Sequence, residues 1–404
     1  MSRERMFPLR TVVLGAFVPS LVFEIGIGAM LPIVAITATG LGASLAMAGV
    51  MAALVPVGQL LADVPAGALA ARVGDRRAML LAGAVAAVGF IGCALAPGLP
   101  MLAVSVLLIG AASAVFNLAR HAYLTEITPP LRRARVLSTL AGVHRIGLFV
   151  GPFAGAAVIH GGDVQTAYWL ALGTSLAATV LIAAVPPERR VATSGPRAPA
   201  RSMRSVLIEH RRVFTTLGVA VLLVGAVRGA RQTVLPLWGE HLGLDPAVTS
   251  VIFGVAGAAD MLLFYPAGKV MDALGRLWIG VPAMLTMGVA LALLPFATTV
   301  AAVTWVAVLL GLGNGMSSGI LMTLGADTAP EGERSQFLGI WRMFQDGGAA
   351  VGPLVVAGGA ALGSLAAGIW VMGGGGLVAA AGLSRSVPRW SVHANRTTRR
   401  RAGL

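Results

Sequence analysis

The sequence is poor in charge, cysteine, lysine and tyrosine. Charged residues make up 11% of its 404 positions, against about 25% in an ordinary soluble domain, which excludes a globular protein with a solvated surface. A single cysteine, Cys93, rules out a disulfide framework within the chain and any Cys-rich metal site. Six histidines, at 121, 144, 160, 210, 241 and 393, show no metal-ligand spacing. No Gly-rich stretch with Lys-Ser or Lys-Thr precedes a soluble helix, so there is no phosphate loop. Neither metal nor cofactor is expected. The formal charge of +14 resembles that of a nucleic-acid binder, but only one of the 30 cations is a lysine (Lys269) and the arginines fall in short bursts between apolar runs. They form no basic face, so no nucleic-acid partner is expected. What is abundant is apolar, 57% of all residues, and that places the chain among membrane lipid.

Twelve segments are long and apolar enough to span a bilayer: 11–36, 44–70, 77–97, 100–124, 136–160, 164–186, 213–239, 246–271, 277–297, 300–326, 336–361 and 363–384. Prolines inside them (Pro19, Pro32, Pro56, Pro236, Pro266, Pro353) are tolerated in membrane spans and rare in soluble helices. The spans define an N-terminal bundle, 11–186, and a C-terminal bundle, 213–384. Around these lie a terminus, 1–10, a Pro/Arg-rich linker, 187–212, and a basic tail, 385–404. Of the 30 cations, 25 fall on one side of this arrangement, and the six alternate loops contain none. The positive-inside rule then puts both termini in the cytoplasm, with the first apolar run an uncleaved span. The linker reads as a solvated tether attracted to anionic lipid.

A shift of 201 residues superposes landmarks of the two halves. Leu41-Gly42 falls on Leu242-Gly243, Pro65-Ala66-Gly67 on Pro266-Ala267-Gly268, and Gly74 on Gly275. Glu126 meets Asp327, Arg133 meets Arg334, and Gly147, Gly151 and Pro152 meet Gly348, Gly352 and Pro353. Parallel six-span repeats are a transporter architecture with the substrate site near the midplane. The first span of each half matches at a different shift, 204, which pairs Leu31-Pro32 with Leu235-Pro236 and Glu24 with Arg228.

Between the second and third spans the sequence reads Gly67-Ala-Leu-Ala-Ala-Arg72-Val-Gly74-Asp75-Arg76-Arg77, and its counterpart reads Gly268-Lys-Val-Met-Asp272-Ala-Leu-Gly275-Arg276. Both resemble the cytoplasmic loop signature of the major facilitator superfamily, G-x-L-x-D-R-x-G-R-R, with Ala71 where the family usually has Asp. The resemblance implies that the glycines allow close approach, that Asp272 caps a helix of the other half as a latch, and that a loop Arg pairs with Glu126. The fifth span, Ser138-x8-Gly147-x3-Gly151-Pro152-x2-Gly155-Ala156, resembles the antiporter signature of the family's twelve-span drug/proton exchangers. Gly339-x8-Gly348-x3-Gly352-Pro353 repeats most of it in the eleventh span. Gly-rich faces of this kind also serve plain helix packing. Val106 stands where that branch carries an Arg in span four.

Charges inside spans cost about 2.5–3.5 kcal/mol each on insertion scales and need a reason. Those near midspan are Glu24, Asp63, Arg145, Arg228, Arg231, Asp260, Arg342 and Asp346. Arg228, Arg231 and Gln232 share one helical face. By the resemblance, Glu24 and Arg228 confront the substrate, and Asp63 with Arg342 and Arg145 with Asp260 join the two halves. These pairs read either as structural ties or as gating and proton-relay groups. Glu24, then Asp260, is the candidate carboxylate for proton coupling. Asn117 and Arg120 in span four, and Asn314 and Ser318 in span ten, are cavity-lining candidates, with Arg120 alternatively snorkelling to headgroups.

The resemblance thus implies an all-α membrane protein of two pseudo-symmetric six-helix bundles, a monomer in the cell's inner (plasma) membrane, and no enzyme. Its function is expected to be proton-coupled efflux of a small lipophilic or amphipathic molecule. Uptake of a small metabolite or organic anion is the alternative, since the two arginines could receive an anion. Sugar uptake ranks lower, because the spans offer few hydrogen-bonding groups to replace a sugar's hydration.

Overall fold

A computed structural model describes residues 12–128, 130–159, 163–185, 203–330, 333–401 and 403; the terminus 1–10 and the linker as far as 202 lie outside the described residues. The long helices, in chain order, are α1 (Val13–Gly40), α2 (Leu45–Val73), α3 (Asp75–Ala94), α4 (Leu99–Ile127), α5 (Pro130–Val158) and α6 (Gln165–Ala184). After the linker come α7 (Arg211–His241), α8 (Pro246–Leu274), α9 (Leu277–Phe296), α10 (Val300–Thr328), α11 (Arg334–Ala361) and α12 (Leu365–Trp390). Among the described residues, all but α11 are apolar enough to count as candidate spans, eleven in number. Helix α11 has the length, 28 residues, but carries Arg334, Arg342 and Asp346. Composition therefore marks eleven of the twelve expected spans.

Helix starts follow local chemistry. Ser44, Thr299 and Ser364 accept the N–H of the third residue onward, satisfying a donor the first turn leaves open. Asp245, which is 201 residues after Ser44, does the same for Ala247 and Val248. Gly42, Gly74, Gly243 and Gly275 all have positive φ, which explains why these landmarks recur as glycine. Helix α1 is interrupted at Leu31-Pro32, where proline cannot continue the ladder.

Contacts divide the chain into two compact units, Met1–Arg189 with Gly243–Gly254, and Arg190–Leu242 with Val255–Leu404. In the first, α1 packs on α5 and α6, and α3 on α4 and α6; in the second, α7 packs on α11 and α12, and α9 on α10 and α12. The pairings are those of a repeat. Its register, however, is 201 in the first spans too. A π-helical turn opens each half, at Val13–Phe17 and Phe214–Gly218. Gly147 and Gly151 sit against Leu21, Ile25 and Ala29 of α1, while Gly348 and Gly352 sit against Leu222, Ala226 and Ala230 of α7. This corrects the shift of 204: the partner of Glu24 is Gly225, and that of Arg228 is Ile27.

Two boundaries move as well. The end of the expected linker is helical rather than tether, over Met203–Glu209 and from Arg211 on, with Val206 buried and Met203–Glu209 packed on α11. Helix α12 runs on to Trp390 instead of ending at 384, because Leu383 and Val387 extend its buried face and the Trp390 indole donates to Thr216. Large apolar side chains such as Leu61, Leu262 and Trp305 remain exposed, as a lipid-facing surface requires.

A Cβ at Gly352 would collide with the Ala226 carbonyl, whereas one at Gly358, on the same helix, meets nothing. Gly352→Ala is expected to destabilise the protein by about 1–3 kcal/mol and Gly358→Ala by less than about 0.5 kcal/mol. Thermal unfolding of the two purified variants in detergent reads the difference.

Candidate functional site

The first bundle seals a charge cluster around Glu24, which is 2% exposed. Gly147 lies against the Glu24 Cβ, so α5 approaches α1 backbone to backbone. One turn before that glycine, His144 reaches the carboxylate: Nδ1 is 2.8 Å from Oε1. From α4, Arg120 donates through a terminal guanidinium nitrogen to the same oxygen at 3.1 Å. The base of the cluster is apolar, with Phe23 and Phe116 stacked at 4.3 Å and the Arg120 guanidinium 6.0 Å from the Phe116 ring. Glu24 and Arg120 side chains are each 3% exposed, but His144 is 33% exposed. The same Nδ1 lies 3.3 Å from the other terminal nitrogen of Arg120, so the tautomer of His144 decides whether it donates to the carboxylate or accepts from the guanidinium. An accessible imidazole is thus within proton-transfer distance of a buried carboxylate.

Arg120 was expected to line a mouth or snorkel to headgroups; it is instead the ion-pair partner of Glu24. Asn117, a neighbour on α4, keeps a buried Oδ1 with no hydrogen-bond partner among the described residues. His144 was not among the expected site residues. The signal available was its place three residues before Gly147, on the same face of α5.

The second bundle holds a different cluster. Gly315 abuts the backbone of Asp260, bringing α10 against α8. The Asn314 amide then donates to Asp260 Oδ2 at 2.6 Å and accepts from the Arg228 Nε at 2.9 Å. Arg231 is 7% exposed and reaches Asp260 Oδ2 only at 3.9 Å. Gln232, expected on the same face as Arg228, is exposed and makes no side-chain hydrogen bond to the cluster among the described residues. The Ser318 hydroxyl is used locally, donating to the Asn314 carbonyl where α10 breaks at Gly319, φ +84°.

Of the expected interdomain residues, Arg342 donates to Asp346 one turn along its own helix at 3.1 Å, and Asp63 and Arg145 are half-buried. The small residues Gly147, Gly151, Gly348 and Gly352, next to Pro152 and Pro353, are contact points between helices of a single bundle. Gly67 and Gly268, expected to permit close approach, face open space: a side chain there would meet nothing within 4 Å among the described residues.

The expected Arg–acid tie is made in the second bundle. Arg276 donates to Asp327 at 3.1 and 3.4 Å and lies 3.5 Å from the exposed Asp272. The position of Arg276 in the first bundle is Asp75, so Arg76 turns to the carbonyls of Ile182 and Ala183, while Glu126 and Arg72 are exposed. The tail folds onto the second loop: Arg276 and Leu277 N–H groups donate to His393 and Ala394 carbonyls, Ser391 donates to Asp327, and Arg399 donates to the Asp272 carbonyl. A Cβ at Gly275 would strike this tail. On the linker side, His210 lies 3.4 Å from Glu333, and the ligand atoms of Glu209, His210 and Glu333 fall within 4.8 Å of one another.

Two helical bundles built on one repeat, apolar outside and with ion pairs sealed inside, define a multi-pass membrane transporter architecture. The chain belongs to the Major Facilitator Superfamily, whose family model matches residues 13–353 and 219–400. Its fold resembles that of a mutant of the nucleoside transporter NupG (TM-score 0.75, 11% identity, 92% of this chain and 99% of that one). It also resembles a POT family transporter solved with 5-aminolevulinic acid (0.75, 14%, 94% and 96%) and a D-xylose-proton symporter (0.70, 14%, 93% and 97%). Comparison with curated protein sequences yields no match. At these identities the likeness establishes the fold, and membership makes the chain a transporter rather than an enzyme.

Removing one partner of a buried ion pair strands the other. Glu24→Ala is expected to cost about 3–5 kcal/mol, and adding Arg120→Met is expected to restore most of the loss. A double-mutant cycle on melting curves tests this. Asp327→Asn is expected to speed tryptic cleavage between 385 and 401, seen by mass spectrometry, because it loosens the tail.

Proposed function

We propose that the protein is a proton-coupled secondary transporter of a small molecule, with Glu24 as the proton-binding group and His144 as its link to water. The observation that carries this reading is the placement of a partly exposed imidazole and a buried guanidinium on one sealed carboxylate oxygen. A His–Glu pair exchanges a proton at little geometric cost. Arg120 supplies the charge that keeps the carboxylate from being stranded when the proton leaves. The arginine bias of one loop set supports cytoplasmic termini in a cell membrane, and a solved protein of this fold is named as a proton symporter.

Export in exchange for protons is the second reading, and it rests on the glycine spacing of α5. That spacing recurs in α11, and in both places its glycines meet the first helix of the same bundle. Packing accounts for the motif, so symport is the reading favoured here.

Glu24→Gln in proteoliposomes is expected to abolish accumulation driven by a pH gradient while leaving counterflow exchange. Undiminished gradient-driven accumulation in that variant overturns the assignment. In the unmodified protein, symport collects substrate on the alkaline side and antiport on the acidic side.

A further inference from the structure

Arg231 is a poorly satisfied buried charge. It is buried, its Nε is sealed from solvent without a partner, and it makes no hydrogen bond among the described residues. Its one recorded interaction is the 3.9 Å approach to Asp260 Oδ2, too long for a hydrogen bond. A guanidinium in a structural ion pair closes to about 2.7–2.9 Å, commonly through two nitrogens. Here that closure is pre-empted. Arg228 fixes the Asn314 amide by donating to its oxygen, which turns the Asn314 nitrogen onto Asp260 Oδ2 at 2.6 Å. The other oxygen, Oδ1, is buried and unbonded. Idle donors and an idle acceptor thus lie side by side, a combination that costs stability in the empty protein and requires an explanation.

We infer that Arg231 and Asp260 form a recognition site for a small carboxylate bearing a hydrogen-bond donor next to its acid group, such as a hydroxy acid. The carboxylate takes the Arg231 donors, and the adjacent hydroxyl donates to Asp260 Oδ1. Gly229 packs against Ala349 and Gly315 against Asp260, so the helices that carry the pair approach their neighbours backbone to backbone. As the identity of a transported substrate, the inference rests on the transport reading above; as a binding site, it stands on these contacts alone.

The test uses the purified full-length protein, its melting temperature in detergent, and proton movement in proteoliposomes holding a pH-sensitive dye. Probes are a series of hydroxy acids from lactate to gluconate, propionate without the donor, lactamide without the charge, and inorganic phosphate. At least one hydroxy acid is expected to raise the melting temperature, propionate to bind about 10-fold more weakly or worse, and lactamide to have no effect. Arg231→Gln is expected to remove the hydroxy-acid response, and Arg231→Lys, which keeps the charge and loses the planar fork, to weaken it. Each variant's own melting transition confirms that it is folded. An equal response to lactamide and lactate, a response to phosphate alone, an undiminished response in Arg231→Gln, or no response to any hydroxy acid overturns the inference. Binding of a hydroxy acid without proton movement upholds it and refutes coupling through Glu24. Proton movement driven alike by neutral and anionic probes refutes it and leaves the coupling intact.

Discussion

Backbone-to-backbone contact between the first and fifth helices of each bundle is the constraint on which the rest of the structure depends. Glycine at 147, 151, 348 and 352 removes the side chains that would hold these helices apart. In lipid there is no hydrophobic drive for helix association, so close packing of this kind has to supply it. In the first bundle the same contact carries the chemistry. With a Cβ at 147, α5 would be pushed off Glu24, and His144 would lose the 2.8 Å contact that joins it to the carboxylate.

Burying charge in such a scaffold demands near-complete local compensation, because desolvation of each ion exceeds what a loose contact returns. The two bundles meet that demand to different degrees. Glu24 has a guanidinium and an imidazole on one oxygen, and its partner Arg120 is closed onto it at 3.1 Å. Arg231 has only a distant carboxylate, and that carboxylate is better served by Asn314. One cluster is a finished ion pair with an accessible third member; the other is left open at two atoms.

Fold and spans were legible in the sequence because apolar length and a constant repeat are properties of many residues at once. Positive-φ turns at Gly74 and Gly275 and caps at Ser44 and Asp245 keep that register visible. The charged clusters were legible only in part. Glu24, Asp260 and the arginines of α7 stand out as misplaced charges, but Arg120 is 96 positions from Glu24 and looks, by depth, like a headgroup contact. His144 is a lone histidine with no metal-ligand spacing, marked only by its place three residues before Gly147. The shift of 204 misled because Leu-Pro occurs in both first spans, whereas the register is set by which backbone atoms the glycines of α5 and α11 touch. The extended α12 and the helical end of the linker escaped a reading that ended spans where arginines begin.

At the true register the two clusters occupy different positions of one scaffold. Glu24, Arg120 and His144 fall opposite Gly225, Leu321 and Gln345, while Arg228, Arg231, Asp260 and Asn314 fall opposite Ile27, Met30, Gln59 and Ser113. No ionisable member of either set has an ionisable counterpart. Gly147 and Gly151 match Gly348 and Gly352 across the repeat, and the charges of these two clusters do not match. A duplicated bundle that keeps its packing and exchanges its buried polar groups gives each half a separate electrostatic task. Here one half carries an acid with an imidazole beside it, and the other carries a cation with unmet donors. On the readings proposed above, coupling and recognition are then divided between the bundles, so a substitution in either cluster alters one without dismantling the helix contacts that support both.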